Sequence, residues 1–309
     1  MRSQRKTKNL SLALAHLSDV HLGPLPPGSI LGHISAKRLI GGASWYFRRS
    51  HLHLPHIANA ICDSIHAAKP DHIAFTGDLV NIAAWNEFPP AAAWLKTLGT
   101  PLNLSMTPGN HDAYVEVPYE RGLSHFAPWM QSDKKIVDAA FPFVKLRRNV
   151  SIIGANSACP QAYTKAGGTL GNSQLRDIAV HLEALGQQGF FRILMIHHPP
   201  LPGFAKSRKA LTDAKELQNV LVEKGCEMVL HGHNHKTMLN WLETSAGNCP
   251  IIGVPSASMN GDLHHEAAAW NLFNIRRLQN RWQVEMVVNR WNSNTMKVES
   301  CEPAMLLPI

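Results

Sequence analysis

Five short segments of the chain concentrate residues that bind metal ions. HLSDVHLG (residues 16–23) offers Asp19 and His21, FTGDLVN (75–81) offers Asp78, and TPGNHD (107–112) offers Asn110, followed by His111 and Asp112. MIHHPP (195–200) adds His197, and HGHNH (231–235) adds His233 and His235. Asp19 and His21, like His233 and His235, are two apart at the end of an apolar run. On an extended chain such residues point the same way and reach one ion. The seven ligand candidates are two carboxylates, one amide and four imidazoles, without a thiolate. That set suits Mn, Fe or Zn rather than copper(I) or an iron–sulfur cluster. Two divalent ions, two carboxylates and a bridging hydroxide leave the cluster near +1, which makes an anion site. Two ions about 3.5–4 Å apart activate a water and clamp the oxygens of a phosphoryl group during in-line displacement. A lone histidine or Gly-Asp is more often structural, but five such segments in order, each closing a strand, are hard to reach by chance.

The elements that must position these residues follow from apolar periodicity. Strands are expected at residues 10–17, 72–76, 102–106, 150–155, 191–196 and 227–230. Helices are expected between them. Residues 55–68 carry Ile57, Ile61 and Ile65 on one face. Pro89-Pro90 opens a helix to about Leu98, with Trp94, Leu95 and Leu98 inward. Ser173 is expected to cap a helix with Leu175, Ile178, Leu182 and Leu185 inward. Asp213 and Glu216 suggest a capping box for a helix to about Glu223. Past residue 235 only strands are expected, at 236–242, 250–254, 268–276 and 281–290. This order implies an α/β fold, as one mixed sheet or two sheets packed face to face with helices outside. Residues 24–54 and 113–149 read as long irregular segments overhanging the site, within a single domain over 1–309.

The ordered pattern D-x-H, G-D, G-N-H-D, H and G-H-x-H resembles the calcineurin-like metallophosphoesterase superfamily, from about residue 16 to 235. The stretch GGTLGNSQLRDIAVHLEAL (167–185) is similar to its glycine-then-helix segment. The resemblance implies a four-layer sandwich of two mixed β-sheets flanked by helices, with a dinuclear metal site at the strand ends. It implies that Asp19, His21 and His235 hold the first ion, that Asn110, His197 and His233 hold the second, and that Asp78 bridges them. His197 is preferred to His198 because the family pattern leaves one residue before the proline. His111 would stabilise the phosphoryl oxygens or protonate the leaving alkoxide, as a cation oriented by Asp112. G-N-H-D followed by I-H-H-P-P resembles the bacterial cyclic-nucleotide phosphodiesterase branch more than the protein phosphatases. The expected activity is therefore hydrolysis of a small phosphodiester by a metal-bridging hydroxide, with two divalent ions (Mn, Fe or Zn) as cofactors. Asn156 and Ser157 are candidate substrate contacts. Two alternatives come from the same superfamily. One is a membrane-surface lipid or nucleotide-sugar pyrophosphatase, supported by the basic arm of Arg2, Arg5, Lys6 and Lys8 and by Trp45, Tyr46 and Phe47 beside Arg48-Arg49. The other is a nuclease, for which no DNA-binding extension is visible.

Bulk properties narrow the partners. Eighteen histidines among 309 residues is a large number and leans toward a metalloprotein. The net charge of +8 and the pI of 9.4 favour anionic substrates. The basic pairs Arg48-Arg49, Lys134-Lys135, Arg147-Arg148 and Arg276-Arg277 are scattered and not interleaved with aromatics. A small phosphorylated substrate is therefore expected rather than nucleic acid, with peripheral membrane contact as the other candidate partner. The five cysteines are widely spaced and contain no C-x-x-C, which fits a reducing compartment. The basic, then apolar N-terminus is too short for a signal peptide and runs into Asp19 and His21. No stretch reaches the roughly 20 apolar residues of a membrane span. A cytoplasmic location is expected, and the oligomeric state is left open.

Overall fold

Strands that are apolar at nearly every position need cover on both faces, and this chain builds such strands from two regions. The computed structural model describes residues 11–29, 35–133, 141–162, 164–279 and 281–307. The basic arm and the Lys134-Lys135 pair lie outside the described residues. In chain order the elements are β1 (Ser11–Leu17), α1 (Ala36–Phe47), α2 (Pro55–Ala68), β2 (His72–Phe75), α3 (Phe88–Leu98), β3 (Leu104–Met106), β4 (Phe143–Arg147) and β5 (Val150–Gly154). They continue with α4 (Gly171–Gln187), β6 (Phe191–Met195), α5 (Ala214–Lys224), β7 (Met228–His231), β8 (Met238–Thr244), β9 (Gly247–Gly253), β10 (Ala269–Leu278), β11 (Arg281–Asn292), β12 (Lys297–Ser300) and β13 (Ala304–Leu307). One sheet runs β12-β11-β10-β1-β2-β3, with β13 also on β11; the other runs β4-β5-β6-β7-β9-β8. Both are mixed. β1, β2 and β3 are parallel, as are β5, β6, β7 and β9.

The period of two along each strand divides the core into layers. Leu12 and Leu14 of β1 face Ile193, Met195, Leu230 and Ile252 between the sheets. Ala15 and Leu17 face outward onto Ile57, Ile61 and Ile65 of α2 and Leu95 and Leu98 of α3. Leu194 of β6 faces outward onto Ile178 and Leu182 of α4 and Leu217 and Leu221 of α5. The order is helix, sheet, sheet, helix, a four-layer α/β sandwich. The C-terminal ends of the parallel strands in both sheets lead into the ligand segments, as is usual for α/β sites.

Several local expectations change. Residues 24–54 are not irregular throughout, because they contain α1. Residues 113–149 hold two 3₁₀ turns (Tyr119–Arg121 and Leu123–Trp129) and β4, which pairs with β5. Ser173 lies inside α4 and is exposed rather than a cap. Asp213 precedes α5 but makes no side-chain cap there. Its carboxylate instead accepts from the backbone N–H of Leu170 and Gly171 and from the Thr169 hydroxyl, so it caps α4 from a distance of more than 40 residues in sequence. Asp213→Ala is expected to lower the unfolding free energy by about 1–2 kcal/mol. Ser173→Ala is expected to change it by less than about 0.5 kcal/mol. Urea titrations followed by circular dichroism measure both, and a larger loss at Ser173 would restore the local cap.

Candidate metal centre

The ligand segments begin where the strands stop. The backbone beyond β1 and β2 stays side by side: Asp19 N–H donates to Gly77 O and His21 N–H to Asp78 O. A Cβ on Gly77 would lie 2.4 Å from Gly109 N, and one on Gly109 would lie 2.2 Å from Asp78 Oδ1. The glycines of G-D and G-N-H-D therefore let the two loops touch. Asp19, His21, Asp78, His233 and His235 all have left-handed backbones, with φ of 56°, 45°, 59°, 71° and 53°. Each costs on the order of 1 kcal/mol for a residue with a Cβ. The side chains two apart converge because of these turns, not because of a continuing strand pleat.

Asp112 holds the turns in place. Its carboxylate accepts from the N–H groups of Asp78, Leu79, Val80 and Gly109, at 2.9, 2.9, 3.0 and 2.9 Å. Burial and the Asp78 charge push its acid up to about 7. The expected partnership with the His111 ring is replaced: His111 Nδ1 donates to Asn81 O, and Tyr114 stacks on the ring at 5.3 Å. Both Asp112 oxygens are occupied by the backbone, which explains the change.

Two donor sets meet around Asp78. His235 Nε2 is 3.2 Å from both His21 Nε2 and Asp19 Oδ1. Asn110 Oδ1 is 2.8 Å from His233 Nδ1 and 3.1 Å from His197 Nε2, and those two nitrogens are 3.3 Å apart. Asp78 Oδ2 is 3.7 Å from His21 Nε2 and 3.4 Å from His197 Nε2, so one oxygen faces both sets. Ions with ligands at about 2.0–2.2 Å space their donors roughly 3.0–3.4 Å apart. The buried Asp19 Oδ1 has no hydrogen-bond donor, and imidazole nitrogens face one another in both sets. These features fit a pair of divalent ions. The four donors of Asp19, His21, Asp78 and His235 lie within 4.8 Å of one another.

The electrostatics agree with ligand duty at His21 and His233. Burial, then the Arg49 charge, holds His21 well below its ordinary pKa, and burial, then His198, does so for His233. Both are neutral, as ligands must be. For His197, burial lowers the pKa, but the Asp78 carboxylate overrides it and raises it to about 9. That shift shows how strongly the pocket favours a cation beside Asp78. His198 sits behind His197, with Nδ1 accepting from Ser157 Oγ at 2.7 Å and Nε2 directed at Ala166 O. Ser157 is buried in that contact, and Asn156 Oδ1 accepts from Ala158 N–H. Ser157 therefore does not offer its side chain to a substrate.

Sequence reading missed two residues of this site. Arg49 Nη2 lies 2.7 Å from His21 Nδ1, and its Nη1 lies 3.2 Å from His111 Nδ1. His53 is buried with its ring 4.6 Å from that of His21, and its Nδ1 is anchored on Ser258 Oγ at 2.8 Å. A ring nitrogen of His53 groups with the donors of His21 and His235 within 4.8 Å. The only signal was the H-x-H spacing of His51 and His53 after Arg48-Arg49. The cleft above, about 350 Å³, is walled by Ile40, Gly41 and Ser44 of α1, by Arg49 and Tyr114, and opposite by Arg208 and Lys209.

A family model described as calcineurin-like phosphoesterase matches residues 12–237. Among solved structures, a dimetal phosphatase from Danio rerio superposes with a TM-score of 0.61 at 13% identity, covering 96% of this chain and 98% of that one. A purple acid phosphatase from yellow lupin gives 0.53 at 10% identity, covering 94% of this chain and 53% of that one. No curated protein matches the sequence.

Two variants separate binding from support. Asp78→Ala is expected to leave fewer than about one ion bound after loading and desalting, read by plasma mass spectrometry; full loading would remove Asp78 from the shared position. Asp112→Ala strands four backbone donors and is expected to cost about 3 kcal/mol or more in urea unfolding. An unchanged midpoint would show that the loops hold without it.

Proposed function

The chain belongs to the calcineurin-like phosphoesterase family, and we propose that it hydrolyses a small phosphodiester in the cleft above Asp78. The observation that carries this reading is the single Asp78 oxygen facing two donor sets, under a cleft whose walls carry Arg49, Arg208 and Lys209. Asp19, His21 and His235 would hold one ion and Asn110, His197 and His233 the other, with Asp78 shared. Two divalent ions, when bound, would supply Lewis acidity and draw a nucleophile from solvent near neutral pH. We take Mn, Fe or Zn as the candidates from the mixed nitrogen and oxygen donors.

The chain's own residues bind and orient the ester. Arg49 presents a planar fork suited to two phosphoryl oxygens. Burial and Arg49 together hold His111 to about 3, so the cation of the cleft is Arg49 rather than His111. Charge that develops on the oxygens during displacement is then met by a fixed guanidinium. His111, committed through Nδ1 to Asn81 O, keeps its orientation beside Asp78, whose Oδ1 accepts its backbone N–H at 2.6 Å. Lys209 and Arg208 draw the anion into the cleft. At about 350 Å³ the cleft leaves room for substituents on the phosphorus beyond the reacting group. All five cysteines are free, which supports a reducing, cytoplasmic setting. Among the described residues no helix is long and apolar enough to cross a membrane.

A panel of bis-p-nitrophenyl phosphate, p-nitrophenyl phosphate, cyclic AMP, a nucleotide-diphospho-lipid and single-stranded DNA, run with each metal, tests the substrate class. Diester turnover is expected to exceed monoester turnover, and a reversed preference overturns the diester reading while leaving a phosphoesterase. Arg49→Ala is expected to lower kcat/KM by about a hundredfold at unchanged metal content. His111→Ala is expected to cause a loss that does not depend on the leaving group. A loss that grows with leaving-group basicity would make His111 the acid instead.

A further inference from the structure

Helix α1 is inverted relative to an ordinary surface helix. It buries Arg38, Gly41 and Gly42. It exposes Leu39, Ile40, Ala43, Tyr46 and Phe47, with Tyr46 67% and Phe47 75% accessible. At 3.6 residues per turn these five side chains fall within an arc of about 120°. A surface helix normally turns such a stripe toward the core, and a contiguous apolar stripe left outside marks an interaction surface. The helix is pinned in this orientation. Arg38 donates to Ile82 O and Ala83 O, and Lys37 Nζ donates to Tyr114 O and Gln161 O. A Cβ on Gly41 would lie 2.8 Å from the Tyr114 hydroxyl and 3.0 Å from Ile82 Cγ2, so a larger residue there would have to displace its neighbours.

Trp45, Tyr46 and Phe47, grouped beside Arg48-Arg49 in the sequence, do not share one surface. Trp45 packs on Gly23 and Arg49 turns into the metal centre, while Leu39, Ile40 and Ala43 join Tyr46 and Phe47. The two aromatic rings form an edge-to-face pair at 5.3 Å.

The surroundings of the stripe identify what it meets. Residues 22–62 contain no Asp or Glu, and neither do residues 198–212. Arg48 at the end of α1 is exposed, as are Lys165, Lys206 and Arg208 on the opposite lip of the cleft. An apolar stripe on an acid-free stretch of chain, with cations at its end and across the cleft, complements an anionic lipid surface, in which rings and aliphatic chains sit below the headgroups and basic residues lie among them. We propose that the outward face of α1 inserts into the interfacial region of an anionic bilayer, so that the cleft opens at the membrane surface. Ile40 belongs to both the stripe and the cleft wall. A substrate reaching the site from the bilayer would be an amphiphilic phosphoester; that clause rests on the phosphoesterase reading, whereas the docking does not.

Vesicle sedimentation of the full chain tests the docking. Wild type is expected to bind vesicles of phosphatidylcholine mixed with phosphatidylglycerol and to bind phosphatidylcholine alone far less. Leu39→Ser/Tyr46→Ser/Phe47→Ser is expected to weaken binding by about tenfold or more, while hydrolysing bis-p-nitrophenyl phosphate as wild type does. If the triple variant misfolds, Phe47→Ser alone is expected to give a smaller loss in the same direction. Absence of wild-type binding overturns the proposal, as does unchanged binding of the folded variants. Wild type that self-associates in ultracentrifugation while the variant does not, with no vesicle binding, assigns the stripe to a second copy and also overturns it. Failure to hydrolyse any ester, with vesicle binding intact, removes the functional reading and leaves the docking.

Discussion

One carboxylate oxygen has to lie within reach of imidazoles from two different sheets. Asp78 comes from the end of β2, His21 from the end of β1, and His197 from the end of β6 across the sandwich. Face-packed sheets sit about 10 Å apart, so the gap is closed by turns beyond the strand ends. The inter-sheet core around Leu12, Leu14, Ile193 and Met195 therefore does more than exclude water. It sets the spacing at which His197 Nε2 can stand 3.4 Å from Asp78. A slip of one sheet against the other would separate the two donor sets while leaving every ligand in place in the sequence.

The charge arrangement follows from burial. Imidazoles at His21 and His233 are kept neutral, and the fixed positive charge beside His21 is a guanidinium, which keeps its proton at any ordinary pH. Arg49 lies against the His21 and His111 rings rather than against a carboxylate. A cation held that way has unused capacity for an anion, and the cleft is the direction from which one arrives.

The ligand residues were legible because each sits immediately after an apolar run, where residue type and position can be read together. The helices with an inward apolar stripe were legible for the same reason: Ile57, Ile61 and Ile65, or Leu175, Ile178, Leu182 and Leu185, recur at the helical period. Helix α1 was not, because its apolar residues face out and its inner face is two glycines and an arginine. With α1 unread, Arg49 and His53 lost their link to the site. The capping residues failed differently. Ser173 and Asp213 have the right chemistry for local caps, but Asp213 finds better donors on α4, and no local pattern reveals a partner more than 40 residues away. Asp112 was read as serving its neighbour His111, whereas four backbone amides of two touching loops had the stronger claim on its oxygens.

The left-handed turns at Asp19, His21, Asp78, His233 and His235 also bear on how the fold tolerates change. Glycine adopts that backbone without penalty, so at these five positions the residue that would relax the chain is also the one that erases the chemistry. Selection for thermal robustness alone would tend to drift toward a sturdier but inert protein. Left-handed residues with a Cβ also occur at Lys69, Arg148, Gln279 and Met296, so it is the gathering of five of them around one cluster, and not the backbone alone, that points to use.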